Sequence, residues 1–126
     1  MAANVRIFAI ECATLETLLQ AGNDAEAVKD GAEAGERLGG RIGVLILPIS
    51  YKGRETEAFG IAKSLLEQYP ALWVIFHGTI NPAYMTECTH QWASMEPQGM
   101  RAFFATSEHG LLYAIKQWLE CAGHPQ

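Results

Sequence analysis

The sequence predicts an α/β fold, a three-layer α/β/α sandwich built on a five-stranded parallel sheet with strand order 2-1-3-4-5. Three observations carry this. Four short apolar runs, at residues 5–10, 42–47, 72–76 and 100–105, and a weaker one at 24–29 alternate with segments of helical periodicity. The clearest run, Ile42-Gly43-Val44-Leu45-Ile46-Leu47, is apolar on both faces, as strands covered by helices on both sides must be. The chain has 126 residues, enough for one domain, expected over 1–121 with a frayed tail at 122–126. Right-handed crossovers leave few topologies for five βα units of this length.

In order along the chain, residues 5–10 (Val-Arg-Ile-Phe-Ala-Ile) are β-branched and aromatic and read as a buried strand. Leu15, Leu18 and Leu19 then recur at helical spacing, with Thr14 as expected N-cap and Gly22 as the stop. A weak edge strand is expected within 24–29. Asp30 caps a second helix running through Ala34 and Leu38 to Gly39-Gly40, weakened by Gly31 and Gly35 at about 1 kcal/mol each. Pro48 ends the third strand. Ala58, Phe59, Ile61, Ala62, Leu65, Leu66 and Tyr69 make an amphipathic helix closed before Pro70, and residues 72–76 form the fourth strand. Asn81-Pro82 reads as a cap followed by proline at the first helical position; Met85, Cys88, Trp92 and Met95 mark that helix's apolar face, and Pro97 and Gly99 end it. The fifth strand follows at 100–105, and a final helix has Leu111, Leu112, Ile115, Trp118 and Leu119 on its inner face.

Composition removes several classes of function. An apolar fraction of 49% with 10% aromatic residues excludes a disordered chain. Nine Lys/Arg against fourteen Asp/Glu, net charge −5 and no basic cluster, argue against nucleic acid and anionic membrane as partners. Three cysteines without a C-x-x-C pair do not make a disulfide framework, and the N-terminus lacks the features of a secretory leader. A cytoplasmic, reducing setting is expected.

In a sheet of this order ligands lie beyond the carboxyl ends of the strands. Those ends offer Glu11, Cys12, Ser50, His77, Thr79 and Ser107 as pocket candidates. Cys12 stands where a strand gives way to a helix, a position that activates thiols. A phosphatase-type loop needs an arginine six positions on, where Leu18 stands, and a thioredoxin pair needs a cysteine at Leu15. The plainer reading of Cys12 is a small residue packed under a loop. His77, Glu87, Cys88, His90 and His109 are possible metal ligands, but Cys88 and His90 are two apart on a helix and point in different directions. His77 ends a central strand, yet no second catalytic group is fixed beside it, and a polar rim residue is the simpler assignment. Walker, dinucleotide-fingerprint and nucleophile-elbow motifs are all missing. Neither a cofactor nor a resident metal is expected.

Residues Ala27-Val28-Lys29-Asp30-Gly31-Ala32-Glu33-Ala34 resemble the second strand and opening second helix of response-regulator receiver domains. Gln68-Tyr69-Pro70-Ala71-Leu72-Trp73-Val74-Ile75 resembles the passage from their third helix into strand four. The resemblance covers nearly the whole chain and implies the receiver, or flavodoxin-like, fold. Its phosphorylation chemistry does not carry over. Of the two acids that follow strand one in receivers, Glu11 keeps one and Cys12 replaces the other. Leu45-Ile46-Leu47-Pro48 stands where the phosphoacceptor aspartate would end strand three. Thr79 is the candidate for the switch hydroxyl, although His77 and Gly78 are nearer its place, and Ala105-Thr106-Ser107 replaces the lysine ending strand five. An acyl phosphate needs a carboxylate nucleophile and Mg²⁺ needs several oxygen ligands, which one glutamate does not supply. The implied protein is a pseudo-receiver. A second resemblance, to the small stalk protein of V/A-type rotary ATPases, rests on Ala21-Gly22 ending a helix and on the strand at 42–46; that family has four βα units, so residues 100–120 depart from it.

Trp92, Phe103, Phe104, Tyr113 and Trp118 all fall in the last two units. Most belong to a core, but an edge strand and an outer helix face cannot bury all of them, and aromatic anchors are enriched in interfaces. In receivers the face that these units form docks partners and makes dimers. The expected function is therefore a non-enzymatic regulatory or scaffolding module acting by homodimerisation or by binding another protein. The alternatives are a small-ligand sensor or enzyme using Glu11, Ser50, His77 and Thr79, and a stalk-type structural subunit of a larger ATPase assembly.

Overall fold

The computed structural model describes residues 5–39, 41–49, 55–78 and 101–122, with side chains from residue 60 in the third segment and up to residue 120 in the last. The expected helix after Asn81-Pro82, with Met85, Glu87, Cys88, His90, Trp92 and Met95, lies outside the described residues, as do Ser50 and Thr79.

Five strands form one parallel sheet: β1 (Val5–Ala9), β2 (Ala25–Ala27), β3 (Ile42–Pro48), β4 (Leu72–His77) and β5 (Ala102–Ala105). Their order is β2-β1-β3-β4-β5, as expected. The helices are α1 (Cys12–Gln20), α2 (Gly31–Glu36), α3 (Glu55–Gln68) and α4 (Glu108–Ala122). β5 pairs along β4 and α4 packs back on the sheet, so the fifth unit is integral to the domain, unlike the four-unit plan of the stalk protein.

Strand alternation divides the core into two layers. Phe8, Leu45, Leu47, Leu72, Val74, Phe76 and Ala102 face α2 and α3, meeting Ala34, Ala62, Leu65 and Leu66. Ile7, Ala9, Val44, Ile46, Ile75 and Ala105 face α1 and α4, meeting Leu18, Leu111, Ile115 and Trp118. Both sides of the sheet are thus buried, which explains why β3 and β4 read as unbroken apolar runs.

The elements differ from expectation in instructive places. α1 begins at Cys12 with Glu11 in the N-cap position, and Thr14 is buried inside its first turn rather than capping it. It ends as expected at Gly22, whose φ of +89° closes a turn with Gly22 N–H donating to Leu19 O and Asn23 N–H to Leu18 O. Pro48 is the last residue of β3, paired with His77, rather than the residue after it. α2 holds six residues, capped by Asp30, whose carboxylate accepts from Glu33 N–H at 2.9 Å; the Glu33 carboxylate accepts from Lys29 N–H at 2.8 Å. Gly31 and Gly35 are inside this helix and buried. A Cβ at Gly31 would come within 2.4 Å of Leu65 Cδ1, and one at Gly35 within 2.3 Å of the Tyr69 ring. The two glycines that lower helix propensity are what let α2 lie close on α3.

Two arginines tie the elements together. Arg6 Nε donates to Glu26 at 2.7 Å and its guanidinium also reaches Arg37 O, while Arg37 pairs with Glu26 at 3.4 Å and Glu33 at 3.6 Å. This joins β1, β2 and the end of α2. Arg101 donates to Leu66 O at 2.6 Å, Tyr69 O at 3.2 Å and Leu72 O. The last turn of α3 has no basic residue of its own, and Arg101 supplies a cation at that end, held by one carbonyl of the helix, Leu66, and two just beyond it. Burial pushes the Arg101 guanidinium below its ordinary pKa.

Candidate functional site

The strand register brings the ends of four strands to one level. Ala9 pairs with Ile46, so Glu11, two residues on, comes level with Pro48; Pro48 pairs with His77 and His77 with Ala105. Ile49 N–H donates to His77 O and Gly78 N–H to Ala105 O, each at 3.0 Å, so the loops leaving β3 and β4 are pinned to the neighbouring strand. Gly78, at φ +129°, takes a conformation open to glycine and packs against Ile49.

Among the described candidates, this rim gathers Glu11, Cys12, His77 and Ser107. Glu11 and Cys12 are exposed, and the Glu11 side chain makes no capping bond to α1. Cys12 is a free thiol at the first position of α1. Its exposure removes the expectation of a small residue packed under a loop. His77 is half-buried and ends β4. Ser107 has a structural role, since its hydroxyl oxygen accepts from Gly110 N–H at 3.0 Å and so caps α4. His109, in the first turn of that helix, is exposed. Among the described residues no three His, Cys, Asp or Glu side chains are grouped to hold a metal ion. At the end of β3 stand Leu47, Pro48 and Ile49, all buried and with no side-chain oxygen.

The aromatic residues separate. Trp118 is wholly buried in the layer under α4, so it is a core residue and not an interface anchor; its Nε1 has no hydrogen-bond partner. Phe103 is half-buried and stacks on Trp73 with ring centroids 5.7 Å apart. Phe104, 37% exposed, lies on the α3 side of the sheet against Phe76, whereas Tyr113, 62% exposed, is on α4 on the other side. The exposed pair therefore belongs to two surfaces, because adjacent strand residues point to opposite faces.

A feature not foreseen from sequence is a groove of about 380 Å³ lined by Ala21, Asn23, Leu112, Lys116, Leu119 and Glu120. Asn23 precedes β2, so the groove opens at the amino end of the sheet, away from the rim. Its signal in the sequence was the second apolar row of α4, Leu112 and Leu119, beside the buried row of Leu111, Ile115 and Trp118.

No protein-family model and no curated protein matches the chain. Solved structures do. A CheY-like response regulator receiver domain protein from Methanospirillum hungatei superposes with a TM-score of 0.60 at 15% identity, over 95% of this chain and 96% of that one. The signal receiver domain of a response regulator from Bermanella marisrubri gives 0.58 at 13% identity, over 91% and 97%. The chain has the receiver fold, an all-parallel 2-1-3-4-5 sheet between helical layers. No described helix is long and apolar enough to cross a membrane.

Proposed function

We propose that the chain is a pseudo-receiver: a non-enzymatic regulatory module that keeps the receiver fold, takes no phosphoryl group and works by associating with protein surfaces, its own or another's. The observation that carries this reading is the end of β3. Where the resemblance to receivers expects the phosphoacceptor carboxylate, Leu47, Pro48 and Ile49 present only buried carbon. Glu11 and Cys12, in place of an acidic pair, leave a single carboxylate in the turn between β1 and α1. Phosphoryl transfer to a carboxylate requires both the nucleophile and an oxygen-ligated Mg²⁺. Exposed Leu19, Phe104 and Tyr113 support association, since large apolar side chains left in water favour burial against a partner. A free, exposed Cys12 fits a reducing, cytoplasmic setting.

The test is incubation with acetyl phosphate and Mg²⁺ followed by intact-mass measurement. The mass is expected to stay that of the unmodified chain. An added phosphoryl group would overturn the pseudo-receiver reading.

A further inference from the structure

The groove between the end of α1 and the outer side of α4 says more about association than the rim does, and its meaning rests on the association reading above. Leu112 and Leu119 form its apolar wall on α4 and Ala21 its other side. Tyr113, 62% exposed, adjoins Leu112 on the same helix. A large exposed side chain thus adjoins the groove's apolar wall.

Lys116 and Glu120, one turn apart on α4, complete the lining. At that spacing they are neighbours on the helix, yet among the described residues no ion pair joins Lys116 or Glu120 to a partner, unlike Arg6 and Arg37, which pair with Glu26 and Glu33. A positive and then a negative charge along one helix face is self-complementary when a second copy lies antiparallel across a two-fold axis. An acidic or a basic partner would match only one of the two charges, whereas a second copy matches both. The net charge of −5 opposes self-association at long range, but at physiological salt this is screened beyond about 8 Å, so contact-range complementarity decides.

We propose that this face joins two copies of the chain about a two-fold axis, with Lys116 of each copy against Glu120 of the other and Leu112, Tyr113 and Leu119 buried between them. The test is sedimentation velocity on the full chain and on exposed-site variants whose folding is confirmed by circular dichroism. Wild type is expected to be dimeric. Lys116→Glu and Glu120→Lys are each expected to weaken dimerisation by about tenfold or more, since each replaces two attractive contacts with two repulsive ones. Mixing the two variants should restore the dimer, because a copy with two negative charges at these positions then faces a copy with two positive ones. A wild type that stays monomeric at about 100 µM, or single variants that dimerise as wild type does, overturns the proposal. A monomer that nevertheless forms a defined complex with a different purified protein removes this interface while leaving the association reading in place.

Discussion

At the scale of single residues, Trp118 and Tyr113 show how one helix divides aromatic side chains between core and surface. They are five positions apart, about 140° around the helix at 100° per residue, so packing one inward turns the other to solvent. Trp118→Ala is expected to cost about 3–5 kcal/mol in denaturant unfolding, as removal of a fully buried indole does. Tyr113→Ala should leave the unfolding free energy within about 0.5 kcal/mol of wild type at dilutions where both are monomeric, while weakening association. Equal loss of stability in both variants would contradict the assignment. Arg101 was invisible to pattern reading, because its partners are carbonyls of Leu66, Tyr69 and Leu72 some thirty residues earlier in the chain. Arg101→Ala is expected to lower stability by about 2 kcal/mol, since carbonyls at the end of α3 lose a charged donor. An unchanged midpoint in chemical denaturation would show that solvent replaces the guanidinium at no cost.

At the scale of elements, the strands were legible and the helix contacts were not. Val44-Leu45-Ile46-Leu47 and Val74-Ile75-Phe76 announce burial on both faces, and Gly22 announces a helix end by its freedom at positive φ. Thr14 misled because a hydroxyl residue near a helix start satisfies the capping pattern, while the backbone turns helical three residues sooner, with Glu11 at the N-cap position. Gly31 and Gly35 looked like weaknesses because propensity counts only the helix containing them, not the helix packed on it. Their value appears only once Leu65 and Tyr69 are seen against α2. Gly35→Ala should therefore destabilise the protein by about 1–2 kcal/mol by displacing the Tyr69 ring, rather than stabilise it by the roughly 1 kcal/mol that helix propensity offers. In a Tyr69→Ala background the same substitution should lose its penalty; thermal melts of the four combinations decide it.

At the scale of the whole molecule, the sheet order followed from the alternation of elements, and the candidate rim followed from the sheet order. What the sequence could not locate was the groove, because its walls come from α1 and α4, about ninety residues apart, meeting only after the sheet is assembled. The rim brings the ends of β1, β3, β4 and β5 level, and β3 delivers apolar side chains to it. On the pseudo-receiver reading proposed above, the retained part of the receiver plan is the scaffold, and the altered part is the group that would accept phosphate. The most direct test of that claim is native mass spectrometry of the freshly purified chain after incubation with acetyl phosphate and Mg²⁺. The account predicts an unmodified dimer. A monomer whose mass has grown by one phosphoryl group would contradict it.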